Sequence, residues 1–160
     1  MTIALPEKDE IERILGIFMQ NSPELLETAP VDLSSPTPGS YYTLMANESG
    51  EVVGAMVADI TATVYIGGSL VMIPQNSQIE QIENVDPNEA VIDGISEAFN
   101  AIRGAVNRIG DNPHVNYTPV TALESPETSD RTSWMVEPSL RMDLVGEFPV
   151  GEGRLVLLAR

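Results

Sequence analysis

One helix predicted in the second half of the chain carries a row of residues that does not favour helix formation. Asp93, Glu97, Asn100 and Gly104 fall within about 60° of one another at the helical repeat, opposite the apolar side of the helix. Two like charges four residues apart, an asparagine and an interior glycine each cost a helix a little stability. A solvated polar face is the ordinary explanation for these four residues, the polar stripe, and a functional surface is the alternative.

The polar stripe contains groups that could do chemistry. Asp93 and Glu97 could form half of a carboxylate metal site, but no Glu-x-x-His pair accompanies them, so no metal bound by this chain is predicted. The carboxamide of Asn100 can both donate and accept a hydrogen bond. Gly104 would let another backbone approach closely. His114 is the single histidine, and neither a serine elbow nor a second imidazole completes a triad with it.

The helix that must position the polar stripe has clear start and stop signals within "VDPNEAVIDGISEAFNAIRGAVNRIG". Asp86 is the expected N-cap, Pro87 suits the first helical position, and Glu89 completes an Asp-x-x-Glu capping box. Gly110 is expected to end the helix. Apolar residues at helical spacing predict the buried side: Val91, Ile95, Phe99, Ile102, Val106 and Ile109.

The first half of the chain predicts one helix and two strands. An amphipathic helix is expected from about Glu7 to Gln20, with a short continuation at "SPELLET". The proline- and serine-rich "APVDLSSPTPGS" is a surface loop. Two strands follow in "YYTLMANESGEVVGAMVADI". The next segment, "TATVYIGGSLVMIP", is compatible with a hairpin turning at Gly67-Gly68 or with a buried helix.

The last third predicts a strand, a long loop and a hairpin. "HVNYTPV" is the strand, and "ALESPETSDRTSWMVEP" is a polar loop of a length typical of mobile or functional segments. Trp134 in this loop is either a core residue or an exposed anchor for a partner. The chain ends in a β-hairpin that turns at "VGEGR", so Gly151 and Gly153 belong to a turn and not to a phosphate loop.

This order of elements predicts the fold class. We expect a single α+β domain over residues 1–160, with long helices packed on an antiparallel β-sheet and two weakly similar halves. A chain of 160 residues is long enough to bury a core without disulfides.

Charge and composition exclude several kinds of partner. Acidic residues outnumber basic residues 24 to 8, and the formal net charge is −16. Such a surface repels phosphate backbones and anionic membranes, so neither nucleic acid nor a membrane is an expected partner. The sequence has no cysteine, and it starts without the basic and apolar regions of a signal peptide. We therefore expect a cytoplasmic protein.

The letters "DGISEAFNAIRG" resemble the signature of the chemotaxis phosphatase CheC/CheX family. In that signature an Asp or Ser precedes Glu-x-x-Asn by three intervening residues, and a glycine commonly lies four residues after the Asn. The strand "HVNYTPV" is similar to the family's next strand, which carries a proline. Pro119 lies somewhat closer to Asn100 than in the family, which implies a shorter connection. The resemblance covers about residues 41 to 160 and is best between Asp86 and Val120.

The N-terminal helix lacks a Glu-x-x-Asn motif, so the resemblance is to a single-site, CheX-like member. The resemblance implies hydrolysis of the aspartyl-phosphate on a CheY-like response-regulator receiver domain. Asn100 would orient the attacking water, and Glu97 would pair with a basic residue of the partner. Asp93 belongs to the signature without an assigned catalytic role. Mg²⁺ would be carried by the phosphorylated partner, and no cofactor of this chain is expected.

The resemblance also favours a helix at about Thr61 to Ile73. A homodimer is a possibility that the sequence leaves open, and two alternatives to the phosphatase also stay open. One alternative is a non-catalytic adaptor on the same fold that binds a protein partner, as flagellar-switch relatives of the family do. The other is an unrelated small-molecule binding domain whose polar stripe is only a wetted face. A phosphatase requires Glu97 and Asn100 to be accessible neighbours on one unobstructed surface.

Overall fold

The computed structural model describes residues 2–19 and 22–160. Within these residues the chain forms four α-helices, seven β-strands and two short 3-10 helices. The helices are α1 (Lys8–Phe18), α2 (Ile60–Leu70), α3 (Gln75–Glu83) and α4 (Glu89–Arg108). The strands are β1 (Leu25–Glu27), β2 (Tyr41–Asn47), β3 (Val52–Ala58), β4 (Val115–Tyr117), β5 (Thr121–Ala122), β6 (Leu140–Phe148) and β7 (Gly151–Ala159).

The strands form one antiparallel sheet in the order β1-β6-β7-β3-β2-β4, and β5 extends β2 at the same edge as β4. The order is symmetric about the central β3–β7 contact, because each half consists of one hairpin, β6–β7 or β2–β3, and one short edge strand, β1 or β4. The predicted α+β class and antiparallel sheet are confirmed, and the symmetric strand order agrees with two similar halves.

The sheet is buried on both faces, which explains why every residue of β3 is buried. Side chains alternate between the faces of a strand. Met56 and Ala58 therefore join the core beneath the helices, whereas Ala55 and Val57 join a second cluster on the opposite face. Leu33, Leu123 and Met135, from the two long loops, cover that second face.

Helices α2 and α4 cross closely because glycines meet at the crossing. A Cβ atom added to Gly94 would collide with the backbone of Gly67, and one added to Gly67 would collide with the backbone at Val91 and Ile95. Gly94 therefore serves the helix packing of the core. The segment that was ambiguous in sequence is helical, as the family resemblance implied.

The polar loops are packed segments. The loop from 122 to 138 contains two 3-10 helices, Pro126–Thr128 and Ser133–Val136. Trp134 is half-buried against the second cluster, and its indole N–H donates to the Arg131 carbonyl at 2.7 Å.

No helix in the two described ranges is both long and apolar enough to cross a bilayer.

Two local predictions in the N-terminal half need comment, one that lies partly outside the described residues and one that was wrong. The expected end of the first helix at Gln20 lies outside the described residues, and α1 ends at Phe18. "SPELLET" contains strand β1 and no helix. Its backbone pairs with β6 and becomes the edge strand of the sheet, and the Leu25 N–H donates to Glu12 at 3.0 Å. An open sheet edge therefore decided the conformation of this segment.

The start of α4 was predicted two residues too early, and α3 was not predicted. Asn88 is the N-cap in place of Asp86, and its Oδ1 accepts the Val91 N–H at 3.0 Å. Gln81 of α3 accepts the Asn88 N–H at 2.8 Å, which fixes that position. Helix α3 buries Gln78 and Gln81 in place of an apolar stripe, so the hydrophobic pattern contained no signal for it. The terminal hairpin is confirmed, but it turns at residues 149–150, so Gly151 and Gly153 lie in strand β7 and not in the turn as predicted.

Candidate functional site

The polar stripe lies along α4 on the side opposite its buried residues. Asp93 and Glu97 are exposed, and Asn100 and Gly104 are half-buried. Five of the six predicted core residues of this helix are fully buried, and the sixth, Ile109, is half-buried. Glu97 and Asn100, three residues apart, are neighbours on the helix surface. The helix is 20 residues long and is packed on the sheet, so it holds these groups on a rigid support.

Gly104 has open space above it. A Cβ atom added there would meet only the guanidinium of Arg108, at the ordinary contact distance of 3.5 Å. No backbone within residues 2–19 and 22–160 approaches Gly104 in the way that the backbone of Gly67 approaches Gly94. The close approach that a glycine permits is therefore not used by this chain at Gly104, and the position is available to another molecule.

Asn100 has its carboxamide oxygen engaged by a neighbour on the same helix. Arg103 donates to Asn100 Oδ1 twice, from Nε at 3.0 Å and from Nη2 at 2.9 Å. The Nδ2 amide of Asn100 has no acceptor among the described residues. Asn100 therefore presents a donor to solvent while its acceptor is occupied.

Arg103 and Asn107 connect α4 to strand β4. Arg103 Nη1 donates to the Val115 carbonyl at 3.1 Å, and Asn107 Nδ2 donates to the same oxygen at 3.0 Å. Asn107 Oδ1 also accepts the Val115 N–H at 2.8 Å. The Arg103 guanidinium lies 6.0 Å from the ring centroid of Tyr117, within cation–π range. The half-buried arginine is thus held between the helix and the strand.

The end of α4 is joined to α1 by an ion-pair cluster. Arg108 Nη2 and Arg13 Nη2 both donate to Glu10 Oε1, at 3.0 and 2.7 Å. Hydrogen bonds from Arg13 and then Arg108 lower the pKa of Glu10 to about 2. Glu10 is therefore ionised near neutral pH, and its negative charge neutralises part of the positive charge of Arg13 and Arg108 at this end of the helix.

The surroundings of the polar stripe bear on the other candidate chemistries. Within residues 2–19 and 22–160, no three histidine, aspartate or glutamate side chains converge as metal ligands would. His114 is exposed just before β4. A cavity of about 270 Å³ lies beneath the proline-rich loop, and Val57, Asp59, Arg154 and Val156 contribute to its lining. Val57 and Val156 belong to the cluster on the sheet face opposite α4, so this cavity is separate from the polar stripe.

Sequence reasoning missed Arg103. The signal was available, because a residue three positions after Asn100 must lie beside it on a helix. What could not be foreseen is the contact with Val115, since that carbonyl comes from another element.

No family model matches the sequence, and no curated protein matches it. The fold is nevertheless similar to solved structures. A chain of the CheX–CheY–BeF3–Mg complex from Borrelia burgdorferi is similar at a TM-score of 0.58 and 13% identity, over 95% of this chain and 94% of that chain. FliY from Thermotoga maritima is similar at 0.57 and 13% identity, over 99% and 92%. A chain of the FliM–SpeE complex from H. pylori is similar at 0.60 and 9% identity, over 94% and 82%.

These structures share the sheet and helix arrangement across nearly the whole of this chain. Sequence identities of 9% and 13% show a common fold, and they do not by themselves show a common activity. The protein has the CheC/CheX family fold.

Proposed function

We propose that this protein is a phosphatase acting on the aspartyl-phosphate of a CheY-like receiver domain in the cytoplasm. The observation that carries the proposal is that α4 presents Glu97 and Asn100 in adjacent positions on an accessible surface of a rigid helix. The similarity in fold to a chain from a complex of CheX with CheY, BeF3 and Mg²⁺ supports a receiver domain as the partner.

The proposed reaction makes modest demands on the enzyme. An acyl phosphate is already activated, so the catalyst mainly has to place water in line with the bond that breaks. The water oxygen forms a bond to phosphorus as the bond from phosphorus to the aspartyl oxygen breaks. The aspartate leaves with the electron pair, and the protons of the water pass to phosphate and solvent. The products are inorganic phosphate and a free aspartate carboxylate.

Each residue of the polar stripe has a part in this proposal. Asn100 orients the water, since a carboxamide can both accept and donate a hydrogen bond. Glu97, exposed one turn earlier, pairs with a basic residue of the partner and sets the docking geometry. Asp93 and Gly104 extend the docking face, and Gly104 has the space for close approach. Mg²⁺ belongs to the partner's acidic pocket in this proposal.

The test follows the decay of a receiver domain from the same organism after loading with acetyl phosphate. We expect the protein to accelerate the release of inorganic phosphate. Glu97→Ala and Asn100→Ala should each reduce that acceleration about tenfold or more, because positioning contributes several kcal/mol to such reactions. Glu83→Ala removes an exposed carboxylate from α3 and should leave the rate unchanged. Asn107→Ala removes a carboxamide from α4 together with its two hydrogen bonds to Val115, and it should reduce the rate far less than Asn100→Ala.

Unchanged decay across several receiver domains would exclude the phosphatase. The second candidate is then a non-catalytic adaptor on the same fold. The structural similarity to FliM and FliY favours this candidate, as does the occupied Oδ1 atom of Asn100. An adaptor would bind a receiver domain without accelerating its decay, and binding and decay can be measured on the same samples.

A further inference from the structure

Arg103 carries a positive charge that no acidic side chain of the described chain neutralises. Ion pairs engage Lys8, Arg13, Arg108 and Arg141, but none within residues 2–19 and 22–160 engages Arg103, Arg131, Arg154 or Arg160. Of these four arginines, Arg103 is the one that lies on α4 beside the polar stripe. Its three hydrogen bonds go to neutral oxygens, those of Asn100 and Val115. Each terminal nitrogen also carries a second N–H with no acceptor in those ranges. In a chain of net charge −16, such a cation beside the polar stripe is a selective group for an anion.

The same contacts restrict what Asn100 can do in the free protein. Its Oδ1 atom receives two hydrogen bonds from the Arg103 guanidinium, which make it a weaker acceptor for a water proton. An Asn100 that is to orient water with the full acceptor strength of its oxygen must first lose at least one of them. Whatever removes the guanidinium from Oδ1 therefore controls the proposed catalytic group.

A phosphoryl group is a stronger acceptor for this guanidinium than a carboxamide oxygen. Arginine binds phosphate oxygens through paired N–H groups, and hydrogen bonds between two ionised groups are shorter and stronger than those to a neutral acceptor. We propose that Arg103 binds the phosphoryl oxygens of the docked partner and thereby releases Asn100 Oδ1 to orient the attacking water. This inference rests on the proposed function and deepens it, since it makes the chain sensitive to whether its partner is phosphorylated.

Asn107 is the control residue for a purely structural role of Arg103. Arg103 and Asn107 donate to the same Val115 carbonyl, and both tie α4 to β4. The side-chain hydrogen bonds of Asn107 go to Val115 and not to Asn100. Asn107→Ala therefore loosens the junction of α4 with β4 and leaves the Arg103–Asn100 contact in place, whereas Arg103→Ala removes both. Arg103→Lys keeps the charge and loses the paired geometry.

The experiment measures the affinity of the wild-type protein and these three variants for one receiver domain, in its unloaded form and loaded with beryllofluoride and Mg²⁺. We expect the wild-type protein to prefer the loaded form. Arg103→Ala should reduce this preference about tenfold, a change of about 1.4 kcal/mol, with little effect on the unloaded form. The preference of Arg103→Lys for the loaded form should lie between those of the wild-type protein and Arg103→Ala. Asn107→Ala should keep the wild-type preference.

Two results would overturn the inference. One is a wild-type protein that binds both forms equally or binds neither. The other is an Arg103→Ala variant that weakens both forms by the same factor as Asn107→Ala, which would leave only the structural role. Failure of the proposed function looks different. A preference for the loaded form that depends on Arg103, without accelerated decay, would exclude the phosphatase and keep Arg103 as a phosphoryl-binding residue.

Discussion

At the scale of single residues, Asp59 shows how a side chain that helps the fold can carry a cost that depends on pH. Its Oδ1 accepts the Ala62 N–H at 2.9 Å and caps α2, while its own N–H donates to the Arg154 carbonyl at 3.1 Å. Burial raises the pKa of this carboxyl above its ordinary value of 3.8, although backbone hydrogen bonds and the Arg154 charge oppose the shift. The folded protein therefore disfavours the ionised form.

Asp59→Asn should gain stability relative to the wild-type protein as pH rises. With a raised folded pKa, the cost of ionisation is absent below about pH 3.8 and complete above the folded pKa. Asparagine keeps the capping oxygen and cannot ionise. Urea unfolding of both proteins at acidic and neutral pH gives the difference in free energy of unfolding at each pH. A difference that does not change with pH would contradict the prediction, whatever its sign.

The capping function of Asp59 has its own control. Asp59→Ala removes the cap and the charge together and should lose about 1 kcal/mol at low pH, where ionisation no longer matters. The contrast between alanine and asparagine at this one position separates the hydrogen bond from the buried charge.

At the scale of elements, α4 is built to satisfy two surfaces at once. One side packs on the sheet and, through Gly94, against the backbone of α2 at Gly67. The other side carries Glu97 and Asn100 and ends at Gly104. Gly94 and Gly104, ten residues apart in the same helix, thus differ in the physical reason for a glycine at each position. The first is required by packing within the chain, and the second has no structural neighbour that demands it.

Gly94→Ala and Gly104→Ala should change stability in opposite directions. At Gly94 the added methyl group collides with the Gly67 carbonyl, so the helices must separate, at a cost of about 1–3 kcal/mol or more. At Gly104 the methyl group meets only the end of Arg108, so alanine should stabilise the helix by up to about 1 kcal/mol. Thermal and urea unfolding of the two variants measure both effects.

Gly104→Ala also separates stability from docking. If the partner's backbone approaches at this position, the variant should bind a receiver domain more weakly while unfolding at a higher temperature. Unchanged affinity would show that Gly104 lies outside the docking face. Loss of stability at Gly104 would mean that the surface above it is more crowded than this structure describes.

At the scale of the whole molecule, the net charge of −16 acts on every other interaction. Like charges spread over a domain of this size repel one another and destabilise the compact state. The Glu10 cluster and the Arg141–Asp143 ion pair, at 2.6 Å, offset part of this repulsion locally. In the second pair the Asp143 carboxylate is buried. These ion pairs are too few to balance a threefold excess of acidic residues.

The stability of this protein should therefore rise with ionic strength. Raising NaCl from about 10 mM to about 150 mM shortens the screening length from about 30 Å to about 8 Å, which weakens repulsion between distant charges more than contact ion pairs. We expect the midpoint of thermal unfolding to rise by a few degrees. Sucrose at matched osmolality serves as the uncharged control, and a midpoint that falls with salt would show that local ion pairs dominate.

The sequence by itself determined the features that depend on local pattern. Helical spacing located α4 and its buried side, and strand alternation located β2, β3 and the terminal hairpin. The motif around Glu97 and Asn100 indicated the fold through its resemblance to a family. These succeeded because periodicity and residue type are properties of the chain read in order.

Only the tertiary structure decided what depends on distant partners. The pairing of Leu25 with Gly146 turned an apparent helix into β1, and Gln81 moved the cap of α4 to Asn88. The Val115 carbonyl placed Arg103 against Asn100. In each case a hydrogen-bonding group found its partner many residues away, or in another element, and that partner's position is set by the packed fold and not by local propensity.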